Sequence, residues 1–321
     1  MSDAATRTRP TTAGRVGSDG PGGTSRRGRR RIREHRPLWL MLPAGLLLLV
    51  IIIVPFAIAI WISGLDLDAY SLRHWVSAPF IGLSNYSEAL RASGLLHSLW
   101  LSVAFAVLTT VIITPVGVMG ALTVHQKFRG RSIIRSIYLL PYVIPSFVTA
   151  LVWRLVLRPD GALNSALKHV GINGGNWLIG GRSFWSLILV DVWASWAFVY
   201  LMSLAGLQTI DPQLYEAADL DGTGWWQKIW HVVLPQMRGP LTLALLLSTL
   251  NHFNNFTLPF VLFGIPAPDA VNVLPINIYT TSFQVFRFGL GAAMSIMALV
   301  ILVIPAVLYL RAVRLDPSPE A

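Results

Sequence analysis

The 321-residue sequence contains no cysteine. Disulfides, thiolate metal sites and cysteine nucleophiles are therefore excluded, although the absence by itself says nothing of compartment. Charge is scarce as well: 12% of the residues are Asp, Glu, Lys or Arg, and only three are lysine, at 127, 168 and 228. None of those lysines follows a glycine and no G-x-x-x-x-G-K-[ST] run occurs, so the chain lacks this means of cradling ATP phosphates. Paired acids, H-E-x-x-H and a G-x-S-x-G elbow are missing too, which leaves an intramembrane enzyme built on Asp191, His252 or Ser248 without a supporting motif.

What the chain has instead is apolar length. At 54% hydrophobic residues it reads as an integral membrane protein. Six stretches are long enough to cross a hydrocarbon core, which takes about 20 helical residues: roughly 39–63, 97–123, 133–157, 184–207, 241–263 and 290–312. Lipid-facing spans must satisfy their own backbone, so helices are predicted and the fold class is all-α membrane protein.

A net charge of +10 raises nucleic acid as a partner, but the charge is sorted by side of the membrane. With the N-terminus inside, inner segments hold 18 Lys and Arg: ten before residue 37, four from Lys127 to Arg135, then Lys228, Arg238, Arg311 and Arg314. Outer segments hold six: Arg73, Arg91, Arg158, Lys168, Arg182 and Arg287. This bias places both termini and the 208–240 loop in the cytoplasm of a multi-pass protein and leaves nucleic acid without a role. Residues 1–36, rich in Gly, Arg, Ser, Thr and Pro, are predicted to be a disordered basic tail whose run from Arg26 to Arg36 holds the topology and meets anionic headgroups. The membrane domain covers 37–315, and 316–321 form a short C-terminal tail. The first span is too long and too late in the chain for a cleaved signal peptide.

Three spans carry polar chemistry. In LPYVIPSF (140–147), Pro141 and Pro145 each remove a backbone donor, so the third span must kink or open; Tyr142 between them can hydrogen-bond a polar substrate. In DVWASWAFVY (191–200), Asp191 is an acid inside an apolar helix and costs roughly 2.5–3.5 kcal/mol to insert, so it faces the interior or a cavity. Ser195 and Phe198 follow on its face, with Trp193 and Trp196 to either side. The fifth span carries Ser248, His252 and Asn255 at i, i+4 and i+7, one helical stripe within SxxNHFNNF. Such groups are either interhelical glue or a substrate wall. Hydroxyls, amides and an imidazole beside aromatic rings suit carbohydrate.

Between the fourth and fifth spans, residues 216–240 read EAADLDGTGWWQKIWHVVLPQMRGP. Asp211 is a good N-cap, Pro212 suits the first helical position, and Gly222 can take the left-handed conformation that ends a helix at about residue 221. Trp226, Ile229, Trp230 and Val233 then recur at helical spacing, with Pro235 predicted to stop that second helix and Pro240 to open the next. The last outer loop, 264–289, has prolines at 266, 268 and 275 and is predicted to be irregular.

Glu216, Ala217, Ala218, Asp221 and Gly222, with Leu234 and Pro235 beyond, resemble the EAA loop of bacterial ABC importer permeases. Together with FIGLSNY (80–86), LPYVIPSF, FNNF (253–256) and IYTTSFQVFRFGLGAA (278–293), the chain resembles the sugar-type permeases over roughly residues 38–315, closest to the first permease subunit of maltose and oligosaccharide importers. The resemblance implies a type I ABC importer permease fold in the bacterial cytoplasmic membrane, a non-enzymatic transport subunit that itself binds no cofactor. It implies three partners: a second homologous permease, an ABC ATPase dimer that carries ATP-Mg, and an extracytoplasmic solute-binding protein. The seven loop residues become the coupling site, where small alanines admit a close partner surface. Substrate contact falls to Tyr142, Asp191, Ser195, Phe198, Ser248, His252 and Asn255. Asp191 and His252 stand where the family has asparagines, Ser195 where it has glycine and Phe198 where it has tyrosine, while Ser248 and Asn255 match. An ion-coupled sugar transporter using Asp191 and His252 as proton carriers, and an importer of a sugar phosphate such as glycerol phosphate, are the alternatives.

Overall fold

The computed structural model describes residues 42–126 and 128–314; the predicted basic tail 1–36, Lys127 and the tail 316–321 lie outside the described residues. The described chain belongs to two units. Of the first, which ends at Leu49, the helix Leu42–Leu48 is exposed throughout. Apart from the helical stretch Leu42–Ser63, which begins in the first unit, everything below concerns the second unit, Val50 onward.

Its helices are α1 (Val54–Ser63), α2 (Ser84–Arg91), α3 (Leu95–His125), α4 (Arg131–Val143), α5 (Ser146–Val156), α6 (Ala162–His169) and α7 (Arg182–Gln208). There follow α8 (Pro212–Leu220), α9 (Trp225–Lys228), α10 (Arg238–Phe253), α11 (Thr257–Phe263), α12 (Leu274–Tyr279) and α13 (Phe288–Arg314). Among the described residues the only strand-like pairing is an isolated bridge between Leu65 and Phe80. Among the described residues, four helical stretches are long and apolar enough to cross a bilayer: Leu42–Ser63, Leu95–His125, Arg182–Gln208 and Phe288–Arg311. A fifth, α4 with α5, is bent by 89°. The stretch 241–263, read from sequence as one span, is divided between α10 and α11 by a break at Asn254–Phe256.

The central contact is α3 against α7. It is close because Gly117 of α3 has no side chain: a Cβ there would lie 2.7 Å from Val199 Cβ and 2.8 Å from the Tyr200 backbone nitrogen. Small residues let membrane helices approach in this way, since burial of apolar surface gives no drive between helices already in lipid. Gly117→Val should therefore force the pair apart and cost about 1–3 kcal/mol, the usual range for overpacking; a lowered melting temperature of the purified protein is the check, and an unchanged one contradicts this reading of the contact.

The helix ends around α2 and α13 are tied by polar groups. Asn85 Nδ2, buried, donates to the carbonyls of Ser63 and Leu65 at 2.9 and 2.8 Å. Glu88 on α2 takes both guanidinium nitrogens of Arg287, just before α13, and this pairing holds the arginine's pKa still higher than usual. Asp66 N donates to Pro79 O at 2.9 Å and Ile81 N to Gly64 O at 2.8 Å, which closes the base of a tongue bearing the almost fully exposed Tyr70. The predicted irregular loop 264–289 instead contains α12, because Pro275 falls in the first turn, where its missing N–H costs nothing. Ser102 accepts from Leu274 N at 2.7 Å and Asn277 donates to Ser98 at 3.0 Å, seating α12 on α3.

Candidate functional site

The bend between α4 and α5 follows from Pro145, not from both prolines of the predicted kink. Ile144 precedes Pro145 and is driven out of the helical region, so residues 144 and 145 are extended and the chain restarts at Ser146. Pro141 remains within α4. This opening forms one side of a cavity of about 770 Å³, within the range of small-molecule sites. The facing walls come from α7 and from the break between α10 and α11.

All seven substrate residues expected from the sequence line this one cavity: Tyr142, Asp191, Ser195, Phe198, Ser248, His252 and Asn255. Tyr142 and Phe198 stack with ring centroids 6.2 Å apart. Asp191 is 4% exposed. Its Oδ1 accepts from Asn255 Nδ2 at 3.2 Å, and its Oδ2 lies 2.6 Å from His252 Nδ1, out of line for a straight hydrogen bond. The acid thus both pairs with another helix and faces the cavity, so the two readings of it coexist. His252 Nε2 is buried without a protein partner, and the ring meets Phe105 edge-on at 6.2 Å. Among the residues lining the cavity there is no lysine or arginine.

Two details differ from expectation. Asn255 is not part of the α10 stripe, since α10 ends at Phe253; it sits in the break, where its Oδ1 accepts from Leu258 N at 3.2 Å and starts α11. From the break it still reaches Asp191. Trp193 and Trp196 do not line the cavity: the first packs on Trp153 at 5.8 Å and the second on Tyr138 at 5.2 Å. Ser146, Asn251, Asn254 and Thr257 also line it and were not among the seven expected substrate residues, although Asn251 and Asn254 belong to the polar SxxNHFNNF run. Their signal was position beside a helix break, where polar side chains meet freed backbone groups.

The 208–240 loop is ordered by its own caps. Asp211 Oδ1 accepts from Gln213 N at 2.9 Å and starts α8. Gly222, at φ +68°, ends that turn, and the Thr223 backbone nitrogen and hydroxyl both return to the Ala218 carbonyl at 3.2 and 2.6 Å. Glu216, Ala217, Asp221, Gly222 and Pro235 are exposed, whereas Ala218 is buried against the loop itself and Leu234 is half-buried. Lys228 pairs with Asp219. Pro235 does not stop the second helix. A π turn over Ile229–Val233 precedes it and carries the helical path on through Leu234–Gln236. Ile229, Val233 and Met237 are buried, and the last two pack with Tyr200, Leu204 and Leu207 of α7. Trp225, Trp226, Trp230 and Leu220 remain exposed, the last 90% so.

Several helices apolar enough to cross a bilayer, and two helix breaks beside a cavity with polar side chains in its wall, are the architecture of a multi-span membrane protein. The family model for "Binding-protein-dependent transport system inner membrane component" matches residues 113–319. The chain belongs to that family, the permease components of ABC importers, with sugar permeases among its named relatives. As such it is a multi-pass protein of the cytoplasmic membrane, works with a binding protein and is not itself an enzyme. It is 32% identical over 290 residues to the trehalose/maltose transport system permease protein MalF of Thermococcus litoralis, covering 88% of this chain and 96% of the relative. Among solved structures it resembles a chain of a bacterial ABC transporter for import of the acidic polysaccharide alginate, with a TM-score of 0.72 at 21% identity over 85% of this chain and 95% of that one. The same likeness holds for a bacterial alginate ABC transporter in complex with an alginate pentasaccharide-bound periplasmic protein: TM-score 0.71, 20% identity, 85% and 92% covered. At those identities the likeness speaks for the type I permease fold alone.

Proposed function

We propose that this chain is one permease half of an ATP-driven importer whose cargo is a saccharide without net negative charge. The single observation that carries the cargo is the cavity wall: one buried carboxylate held between an imidazole and an amide, flanked by hydroxyls, amides and stacked rings, with no Lys or Arg among its lining residues. A phosphate or uronate entering there would meet Asp191 with no fixed cation to offset it, a like-charge approach in a low-dielectric site. This argues against a sugar phosphate. Relatives named for trehalose, maltose and starch degradation products agree with a sugar cargo.

In this reading both termini and the 208–240 loop are cytoplasmic, as the Lys and Arg distribution requires. Glu216, Ala217, Asp221, Gly222 and Pro235 present the docking face for an ATPase dimer that binds ATP-Mg; Ala218 and Leu234 hold that face in shape. A second permease completes the cavity, and ATP-driven movement of the loop exposes it to each side in turn. A proton-coupled carrier would use the same Asp191–His252 contact, but it needs no docking loop.

Reconstituted transporter with its binding protein should move a neutral oligosaccharide at least about tenfold faster than the matching uronate, the equivalent of about 1.4 kcal/mol. Equal rates, or preference for the acid, would remove the cargo assignment. Uptake that continues in the presence of an uncoupler separates ATP drive from proton drive.

A further inference from the structure

Away from the cavity, four polar atoms at one corner of the unit are buried without a protein partner. They are His125 Nδ1 at the end of α3, Arg131 Nε and Arg135 Nε at the start of α4, and Tyr215 Oη on α8. The corner is one place. Arg135 Nη2 donates to Val124 O at 3.3 Å, the His125 and Tyr215 rings lie 6.1 Å apart, and both guanidiniums act electrostatically on the His125 ring. Arg131 and Arg135, four residues apart, share a face of α4.

Buried donors without acceptors are uncommon because each forfeits its bond to water. Here they are concentrated, and among the described residues neither arginine is paired with a carboxylate. Burial also pushes the Tyr215 phenol up, so its hydroxyl stays a proton donor. Two fixed positive charges, a phenol, an imidazole that donates from Nδ1 in one tautomer and a helix start without a side-chain cap all call for the same kind of ligand. It must be anionic and carry several acceptor oxygens, as a phosphate group does for a guanidinium fork.

We propose that this corner is a phosphate-binding site. It lies where two spans end and basic residues gather, a setting that draws the phosphate of an anionic lipid headgroup. It joins α3 and α4 to α8, so its occupant fixes how the 208–240 loop stands on the membrane domain. The proposal rests on the cytoplasmic placement of that loop given above. It does not involve the cavity.

The test is a titration of the assembled transporter in neutral detergent, with melting temperature as the readout. Phosphatidylglycerol, phosphatidylcholine and inorganic phosphate are the probes. Phosphatidylglycerol should raise the melting temperature saturably and phosphatidylcholine should not. The double substitution Arg131→Gln, Arg135→Gln should weaken the apparent affinity about twenty-five-fold, since each basic side chain at an anionic surface contributes a factor of about five. A saturable response to inorganic phosphate, lost in the same variant, would also support the site and would assign it to a free anion. Identical responses of wild type and double variant to both phosphate probes overturn the proposal. Should the double variant fail to assemble, Tyr215→Phe removes only the hydroxyl and should weaken the same titration about fivefold; unchanged affinity there overturns it equally. Binding read by melting depends neither on uptake nor on ATP hydrolysis. Failure of this site is thereby distinguishable from failure of the coupling role.

Discussion

Asp191→Ala is expected to lower uptake by about a hundredfold while the protein still inserts and assembles. The substitution leaves Asn255 Nδ2 without its acceptor at 3.2 Å and His252 Nδ1 without the carboxylate at 2.6 Å. A hydrogen bond to a charged group contributes about 1.5–3 kcal/mol, and about 2.7 kcal/mol is a hundredfold. Asp191→Asn separates the two contacts, because its amide oxygen still accepts from Asn255 while the charge facing His252 is gone; a loss of about tenfold is expected. Initial uptake rates, normalised to the amount of transporter in the membrane, are the measurement. Wild-type rates in both variants would reduce Asp191 to helix packing and would withdraw the cavity as the sugar site.

Glu216→Lys and Gly222→Asp should each separate ATP hydrolysis from transport. Glu216 is exposed, so reversing its charge changes what a partner meets and little within the chain. Gly222 stands at φ +68°, and an aspartate there carries a left-handed cost of roughly 1–2 kcal/mol besides a new charge on the same surface. Loss of a hot-spot contact at the centre of a protein interface costs about 2 kcal/mol or more, roughly thirtyfold in affinity. Substrate-stimulated hydrolysis by the assembled transporter should fall by about that factor, with unchanged insertion of the permease judged from membrane fractions. Normal coupling in both variants would deny the loop its role.

Much of this was legible in the sequence because membrane segments obey few rules. Apolar length marks the spans, Pro145 breaks a helix where its chemistry says it should, and an acid at 191 is turned away from the tails, although Pro141 stays within its helix. Caps were equally readable: Asp211 and Gly222 do in the structure what their chemistry suggests. Where the reading differed, a local signal was outweighed by a neighbour. Pro235 looked like a stop, but a π turn upstream carries the helical path through it. Asn255 fitted a helical stripe by spacing, yet its side chain serves better as the acceptor that begins α11. Ala218 looked free for a partner and is instead covered by the loop that Thr223 folds back upon it. The unpartnered corner at Arg131 and Arg135 was not visible at all, since sequence shows charges and not which of their atoms lack acceptors.

The tongue whose base is closed by Asp66, Pro79, Gly64 and Ile81 has a bearing on how such chains diversify. Its two ends are held side by side whatever lies between them, so its length is a nearly free variable: doubling a flexible loop costs only about 0.6 kcal/mol in closure entropy. Descendants of this chain can therefore grow extra mass on that rim while the closed base keeps the helices that carry it in place.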